Sequence, residues 1–188
     1  NIVKKIILSF IFGLLIFTNV GAENRENELN NLFKKLKNSK TVEAKEIENK
    51  IWKIWVTHTS EDRRGYRLTE LLAQGSIFIN QRKLSDAYLL FSQIIIEDPK
   101  WSEAWNKRAT VLYLMGKYEE SQNDINKVLK LEKRHFGALS GQGLVQTKLK
   151  NYDKAIESYK EVQKIYPTME APKDMIPLLK KLIKEESI

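Results

Sequence analysis

The chain has 188 residues, no cysteine, 42% hydrophobic and 30% charged residues, and 32 Lys and Arg against 24 Asp and Glu. This composition excludes a disulfide-stapled mini-protein and a disordered tail, and it supplies enough apolar side chain for a real core. The basic surplus favours acidic partners or an anionic membrane surface through long-range attraction.

Lys4 and Lys5 precede an uncharged apolar run over residues 6–17, and Val20, Gly21 and Ala22 come after it. A basic start, a short apolar centre and a small-residue end spell a secretory signal peptide over residues 1–22, cleaved near Ala22. The run is shorter than the roughly 20 apolar residues of a membrane span. The alternative is an uncleaved N-terminal anchor. Either way the expectation is an exported protein, periplasmic or secreted, and the absence of cysteine leaves nothing to mispair in an oxidising space. Nucleic acid is not an expected partner there. Beyond residue 22 the chain keeps 30 basic residues against 24 acidic ones. They cluster at Lys34, Lys35 and Lys37, at Lys107 and Arg108, at Lys133 and Arg134, and at Lys180, Lys181 and Lys184. Each cluster reads equally as a solvated helix face or as a docking patch.

Residues 23–64 read as a helical hairpin and a linker. Leu29, Leu32, Phe33 and Leu36 recur at helical spacing, and Asn38-Ser39-Lys40 breaks the pattern. A second helix starts with Thr41 as its expected N-cap and carries Ala44, Ile47, Ile51, Ile54 and Trp55 along one face. The polar stretch 58–65 reads as linker, and the hairpin as the cap over the first end of the repeats that begin at residue 68.

Residues 68–169 are periodic. The stretch from Trp105 to Tyr118, W-N-K-R-A-T-V-L-Y-L-M-G-K-Y, is an amphipathic helix stopped at Gly116, and its pattern returns once before, around Gly75, and once after, around Gly143. Three repeats of equal length occupy residues 68–101, 102–135 and 136–169, each a pair of helices; Pro99 and Pro167 close the first and third. Small residues recur at Gly75, Ala109 and Gly143 and again at Ala87, Ser121 and Ala155. Large residues come next at Phe91, Ile125 and Tyr159, and turn positions fall at Leu84, Tyr118 and Tyr152. Residues 170–188 form a closing helix whose Pro177 either starts it late or kinks it.

These repeats resemble tetratricopeptide repeats, whose pattern is W-x2-L-G-x2-Y, then A-x3-F, then P. The second repeat keeps the tryptophan at Trp105 and has Lys133 in place of the proline, whereas the first and third have Leu71 and Leu139 at the tryptophan position. The stretch 103–143 is also similar to exported bacterial proteins of this kind. The resemblance implies an all-α, right-handed superhelical solenoid of three helix-turn-helix repeats with an N-terminal hairpin and a C-terminal capping helix. It also implies a concave groove, lined by the first helix of each repeat, that holds a protein or peptide partner. By position the groove residues are Thr69, Leu72, Ser76 and Ile79; Glu103, Asn106, Thr110 and Tyr113; and Ser140, Leu144, Thr147 and Lys148. A hairpin folded across part of the groove would instead make its apolar members core. Some members of the family grip a C-terminal carboxylate with paired Lys and Asn; Ser76 and Thr110 stand where that clamp wants asparagine, so it is not expected here.

No catalytic arrangement stands out. The two histidines, His58 and His135, fall in the linker and at a repeat junction, and neither a phosphate-cradling loop nor a nucleophile elbow is present. The expectation is a non-catalytic binding module without cofactor or metal. The rival reading is a membrane-associated scaffold or assembly factor of the cell envelope, in which the basic surface or a retained leader makes peripheral contact with an anionic membrane.

Overall fold

The computed structural model describes residues 21–186, so the expected signal peptide lies almost wholly outside the described residues. All regular structure among them is helical. Helix α1 runs through residues 21–38, followed by α2 (Thr41–Val56), α3 (Arg63–Asn80) and α4 (Leu84–Glu97). Next come α5 (Ser102–Leu114), α6 (Tyr118–Leu131), α7 (Phe136–Lys148), α8 (Tyr152–Ile165) and α9 (Glu170–Glu186). No described helix is long and apolar enough to cross a membrane.

The pairs α3 with α4, α5 with α6 and α7 with α8 pack as successive hairpins, and each also packs on the next. The closeness of each hairpin follows from its small residues. A Cβ added to Gly75 would sit 2.5 Å from the Phe91 ring, and one added to Gly143 would sit 2.5 Å from the Tyr159 ring. In the second repeat the facing residue is the thinner Ile125, and Ala109 fits; there Ser121 Oγ donates to the Ala109 carbonyl at 2.7 Å. Within the second repeat Arg108 forks onto Asp124 (Nε to Oδ2 2.7 Å, Nη2 to Oδ1 2.8 Å), and it reaches across to the first repeat by donating to Ser92 at 3.1 Å. The Asp124 partner raises the Arg108 pKa further.

The first helices of the three repeats end alike. Gly116 has φ 78°, and its counterparts in the neighbouring repeats, Arg82 and Lys150, take φ 59° and 60°. The backbone N–H of Lys117 reaches Leu112 O at 2.9 Å, as Lys83 reaches Phe78 O and Asn151 reaches Gln146 O. This left-handed closure satisfies carbonyls that the helix end would strand, and the second repeat gives the position to the residue that adopts it without steric cost. Pro177 lies inside α9, which continues through it.

Two expectations about the N-terminal hairpin are corrected. Helix α2 begins at Thr41 with Lys40 as N-cap and no side-chain cap bond. More importantly, the hairpin does not close the first end. The α2 residues Ala44, Ile47, Ile51 and Trp55 share one core with Leu29, Leu32, Phe33 and Leu36 of α1 and with Phe136, Leu139, Val162 and Tyr166 of the repeats. A 16-residue helix is about 24 Å long, enough to cross two interaxial steps of roughly 8–10 Å. Helix α2 makes that crossing over the junctions between repeats. Trp55 meets His135, Trp52 meets Phe136, Glu48 meets Tyr166, and Thr41 and Val42 share a hollow with Thr168 and Ala171. The physical reason is that each junction carries an aromatic, Trp101, Phe136 or Tyr166, that needs cover. At the first end, Ile77 is 46% exposed, whereas its counterparts Val111 and Val145 are buried under the preceding repeat.

The linker expectation also changes. Asp62 caps α3 by accepting from Gly65 N at 2.8 Å, so the helix starts at Arg63, ahead of the expected repeat boundary at Leu68. His58, read as linker, is buried, accepts from Ser60 N through Nδ1 and donates from Nε2 to Asp98 at 2.8 Å.

Tyr166 carries a test of the junction packing. Burial first, and then its hydrogen bond to Glu48 (3.0 Å), push its phenol up to about 12. An unfolded phenol titrates near 10. Its stabilising contribution is therefore complete below pH 10 and is lost as pH rises to 12, at roughly 2–3 kcal/mol. Buried Tyr159, also pushed up to about 12, behaves the same way. Urea unfolding at pH 9 to 12 is expected to show a shallower alkaline loss in Tyr166→Phe than in the parent. Equal slopes would contradict the burial and bonding of that hydroxyl.

Candidate functional site

Two features of the molecule bear on function: the edge where α2 crosses the repeats and the open half of the groove beside it. At the edge, His135 is the N-cap of α7, and its Nδ1 accepts from Ala138 N at 3.1 Å. That assignment places the proton on Nε2, which donates to Glu103 Oε2 at 3.0 Å. Asn106 Nδ2 donates to the same oxygen at 3.1 Å, and the Lys107 ammonium lies 3.5 Å from Oε1. Both Glu103 and His135 are fully buried. The imidazole stacks on Trp55 at 4.0 Å with the rings 7° from parallel, and Trp52 meets it edge-on at 5.5 Å. Trp101 Nε1 donates to the Trp55 carbonyl at 2.8 Å. Arg134 holds α1 alongside, over the Phe33 ring and bonded to Asn30, Glu26 and Glu132. Among the described residues no group of three or more His, Asp or Glu is placed to hold a metal ion.

Beyond the edge, the C-terminal halves of α5 and α7 stay open. Between them lies a slot of about 80 Å³, bordered by Asn106, Thr110, Tyr113 and Leu144 and walled by Ala109, Ile125, Gly141 and Val145. Ser121 and Gly137 complete it, and the Trp52 ring seals the Gly137 side, where an added Cβ would lie 2.7 Å from it.

Tetratricopeptide repeat models match residues 102–135 and 138–168. A TPR repeat-containing protein of Rhizobium etli is 31% identical over 156 residues, which cover 82% of this chain and 74% of that one. The chain belongs to the tetratricopeptide repeat (TPR) family. Shorter matches reach Hsp70-Hsp90 organizing proteins, 29% identical in Glycine max (49% of this chain, 16% of the relative) and 30% in Arabidopsis thaliana (47% and 15%). The first TPR of Spaghetti (RPAP3), bound to the HSP90 peptide SRMEEVD, superposes with TM-score 0.61 at 18% identity. That match covers 62% of this chain and 93% of that one. The Sgt2 TPR domain from Aspergillus fumigatus gives 0.61 at 20% identity, covering 64% and 82%. At these identities the structures show a shared fold.

Within this TPR solenoid the expected groove residues separate into three groups. Leu72 is 2% exposed and belongs to the core with Phe91, and Glu103 is fully buried in the polar cluster; for these two the groove expectation is corrected, whereas Asn106 donates to Glu103 and still borders the slot. Leu72 faces its hairpin partner α4, and Glu103 lies in the first turn of α5, which α2 covers. A second group is tied locally. Thr69 Oγ1 accepts from His58 N and donates to Gly65 O, Ser140 Oγ contacts the Met169 sulfur at 3.8 Å, and Ile79 packs on the first-repeat core. Ser76, Thr110 and Thr147 donate to the carbonyls of Leu72, Asn106 and Gly143. The third group is brought together at the slot: Thr110, Tyr113 and Leu144, with Leu144 40% exposed, and Thr147 and exposed Lys148 lie one turn further along α7. Gly141, which walls the slot, is missed by position counting; its only signal in the sequence is a mid-helix glycine that no turn explains.

Proposed function

We propose that this chain is an exported, non-catalytic TPR interaction module that binds an extended segment of a protein partner on the open half of its concave face. The observation that carries the reading is the slot beside exposed Leu144, on a face where the preceding turns are closed by α2. Export is supported by Lys4 and Lys5, the apolar run and Ala22, together with the absence of cysteine. Structural neighbours include a TPR bound to an HSP90 peptide and another in complex with an HSP70 peptide. A peptide partner is the natural extension of that fold to this chain. The hydroxyls of Ser76 and Thr110 are already committed to carbonyls, which argues for a different peptide chemistry from a carboxylate clamp.

Affinity capture from envelope extract tests the reading, with the full chain beside a Thr110→Ala, Tyr113→Ala, Leu144→Ala variant. These positions lie off the α2 edge, so the variant is expected to keep its fold and lose the captured protein. Equal capture by both proteins would move the binding surface to the convex side or to the N-terminal hairpin.

A further inference from the structure

The four basic clusters of the sequence are each open to two readings, and the structure separates them. Lys107 and Arg108 are paired with Glu103 and Asp124, Arg134 with Glu26 and Glu132, and Lys181 with Glu185. The remaining cluster has no such partner. Lys34, Lys35 and Lys37 at the end of α1, and Lys40 just past it, are all exposed, and none is held in an ion pair among the described residues. They ring the tip where α1 turns into α2. That turn is fixed by its own side chains, since Asn38 Nδ2 donates to Lys34 O at 2.9 Å and Ser39 Oγ donates to Lys35 O at 2.7 Å.

The helix dipole accounts for three of these charges and not for the fourth. A cation suits the last turn of α1, whereas Lys40 is the N-cap of α2, where the dipole repels it and an oxygen-bearing side chain is preferred. Two residues further on, Val42 is 79% exposed. Neither choice serves the fold, and both suit a surface that is anionic at its face and apolar beneath. The opposing charges are few: Glu43 and Glu46 are exposed on the first turns of α2, and Glu48 is paired with Lys45.

We infer that the α1–α2 tip is a peripheral contact with an anionic bilayer, Lys34, Lys35, Lys37 and Lys40 meeting the headgroups and Val42 entering the interface. A protruding tip whose lysines have no fixed partners fits a diffuse negative surface better than a shaped acidic protein. Each lysine near such a bilayer adds roughly fivefold to partitioning. The four lysines less the two free carboxylates leave two net charges, a preference of about 30-fold over a neutral bilayer at low salt. This surface shares no residue with the slot between α5 and α7.

The test is vesicle sedimentation with the chain from Glu23 onward, so that the apolar run contributes nothing, on phosphatidylglycerol mixed equally with phosphatidylcholine and on phosphatidylcholine alone. Binding to the anionic vesicles is expected to be at least about 10-fold tighter and to weaken with salt. Lys34→Gln, Lys35→Gln, Lys37→Gln and Lys40→Gln combined should abolish the preference. Lys130→Gln, Lys133→Gln, Lys180→Gln and Lys184→Gln combined, which remove the same charge elsewhere, should keep most of it. Every replaced side chain is exposed, so both variants keep the fold. Val42→Ser should weaken binding several-fold with its salt dependence unchanged. Equal binding to the two vesicle types, or an equal loss in the two quadruple variants, overturns the inference. So does binding of soluble polyglutamate as tight as that of the vesicles, which would make the ligand an acidic protein segment.

Discussion

Replacing His135 with alanine is expected to cost about 2–4 kcal/mol, because a hydrogen bond donated to a buried carboxylate contributes roughly 1.5–3 kcal/mol and a helix cap about 1. Three losses coincide in that change. The ring stacked on Trp55 disappears, Ala138 N loses its cap acceptor, and the Glu103 carboxylate stays buried with one amide donor and a lysine 3.5 Å away. For a chain of this size each kcal/mol moves the melting temperature by roughly 2–4 °C, so a drop of about 10 °C is expected. Adding Glu103→Gln to the alanine variant should recover part of the loss, because a neutral amide is cheaper to bury than an unpaired carboxylate. A loss under about 1 kcal/mol, or no recovery in the double variant, would contradict the pairing.

The second large effect is expected at Gly143. Leucine there must displace the Tyr159 ring, which an added Cβ would already approach to 2.5 Å, and overpacking of this kind costs about 3 kcal/mol. The second repeat supplies its own control. Ala109 faces Ile125 where Gly143 faces Tyr159, so Gly143→Ala combined with Tyr159→Ile reproduces a pair that the protein already tolerates. Urea denaturation should give the double variant a favourable coupling of about 1 kcal/mol or more relative to the two single changes. Strict additivity would mean that these residues do not touch.

Much of the solenoid can be read from spacing alone. The return of Gly75, Ala109 and Gly143 at one fixed interval, opposite Phe91, Ile125 and Tyr159, specifies helical hairpins whose axes come close, because each repeat is a local unit. Helices α1 and α2 are legible for the same reason: Leu29, Leu32, Phe33, Leu36 and Ile47, Ile51, Trp55 mark one apolar stripe on each. The target of those stripes is not legible. An amphipathic face states that it must be covered and leaves open by what, and the aromatics at three separate junctions become one surface only after the repeats stack. The candidate site inherits this limit. Glu103 occupies a groove position by count, yet it is fully buried beside α2, and the slot depends on Gly141 lying between helices from different repeats. Glu103 and His135 stand at opposite ends of one repeat, and no pattern in the sequence pairs them.

The most direct test of the account is site-specific photo-cross-linking with a benzophenone amino acid in the full chain, in envelope extract. The probe is placed at Thr110 or Lys148 on the open half of the groove, and at exposed Asn123 or Lys164 on the outer helices. The account predicts a common adduct from the first two positions and none from the others. Adducts confined to Asn123 or Lys164 would contradict it, and would place the partner on the convex face.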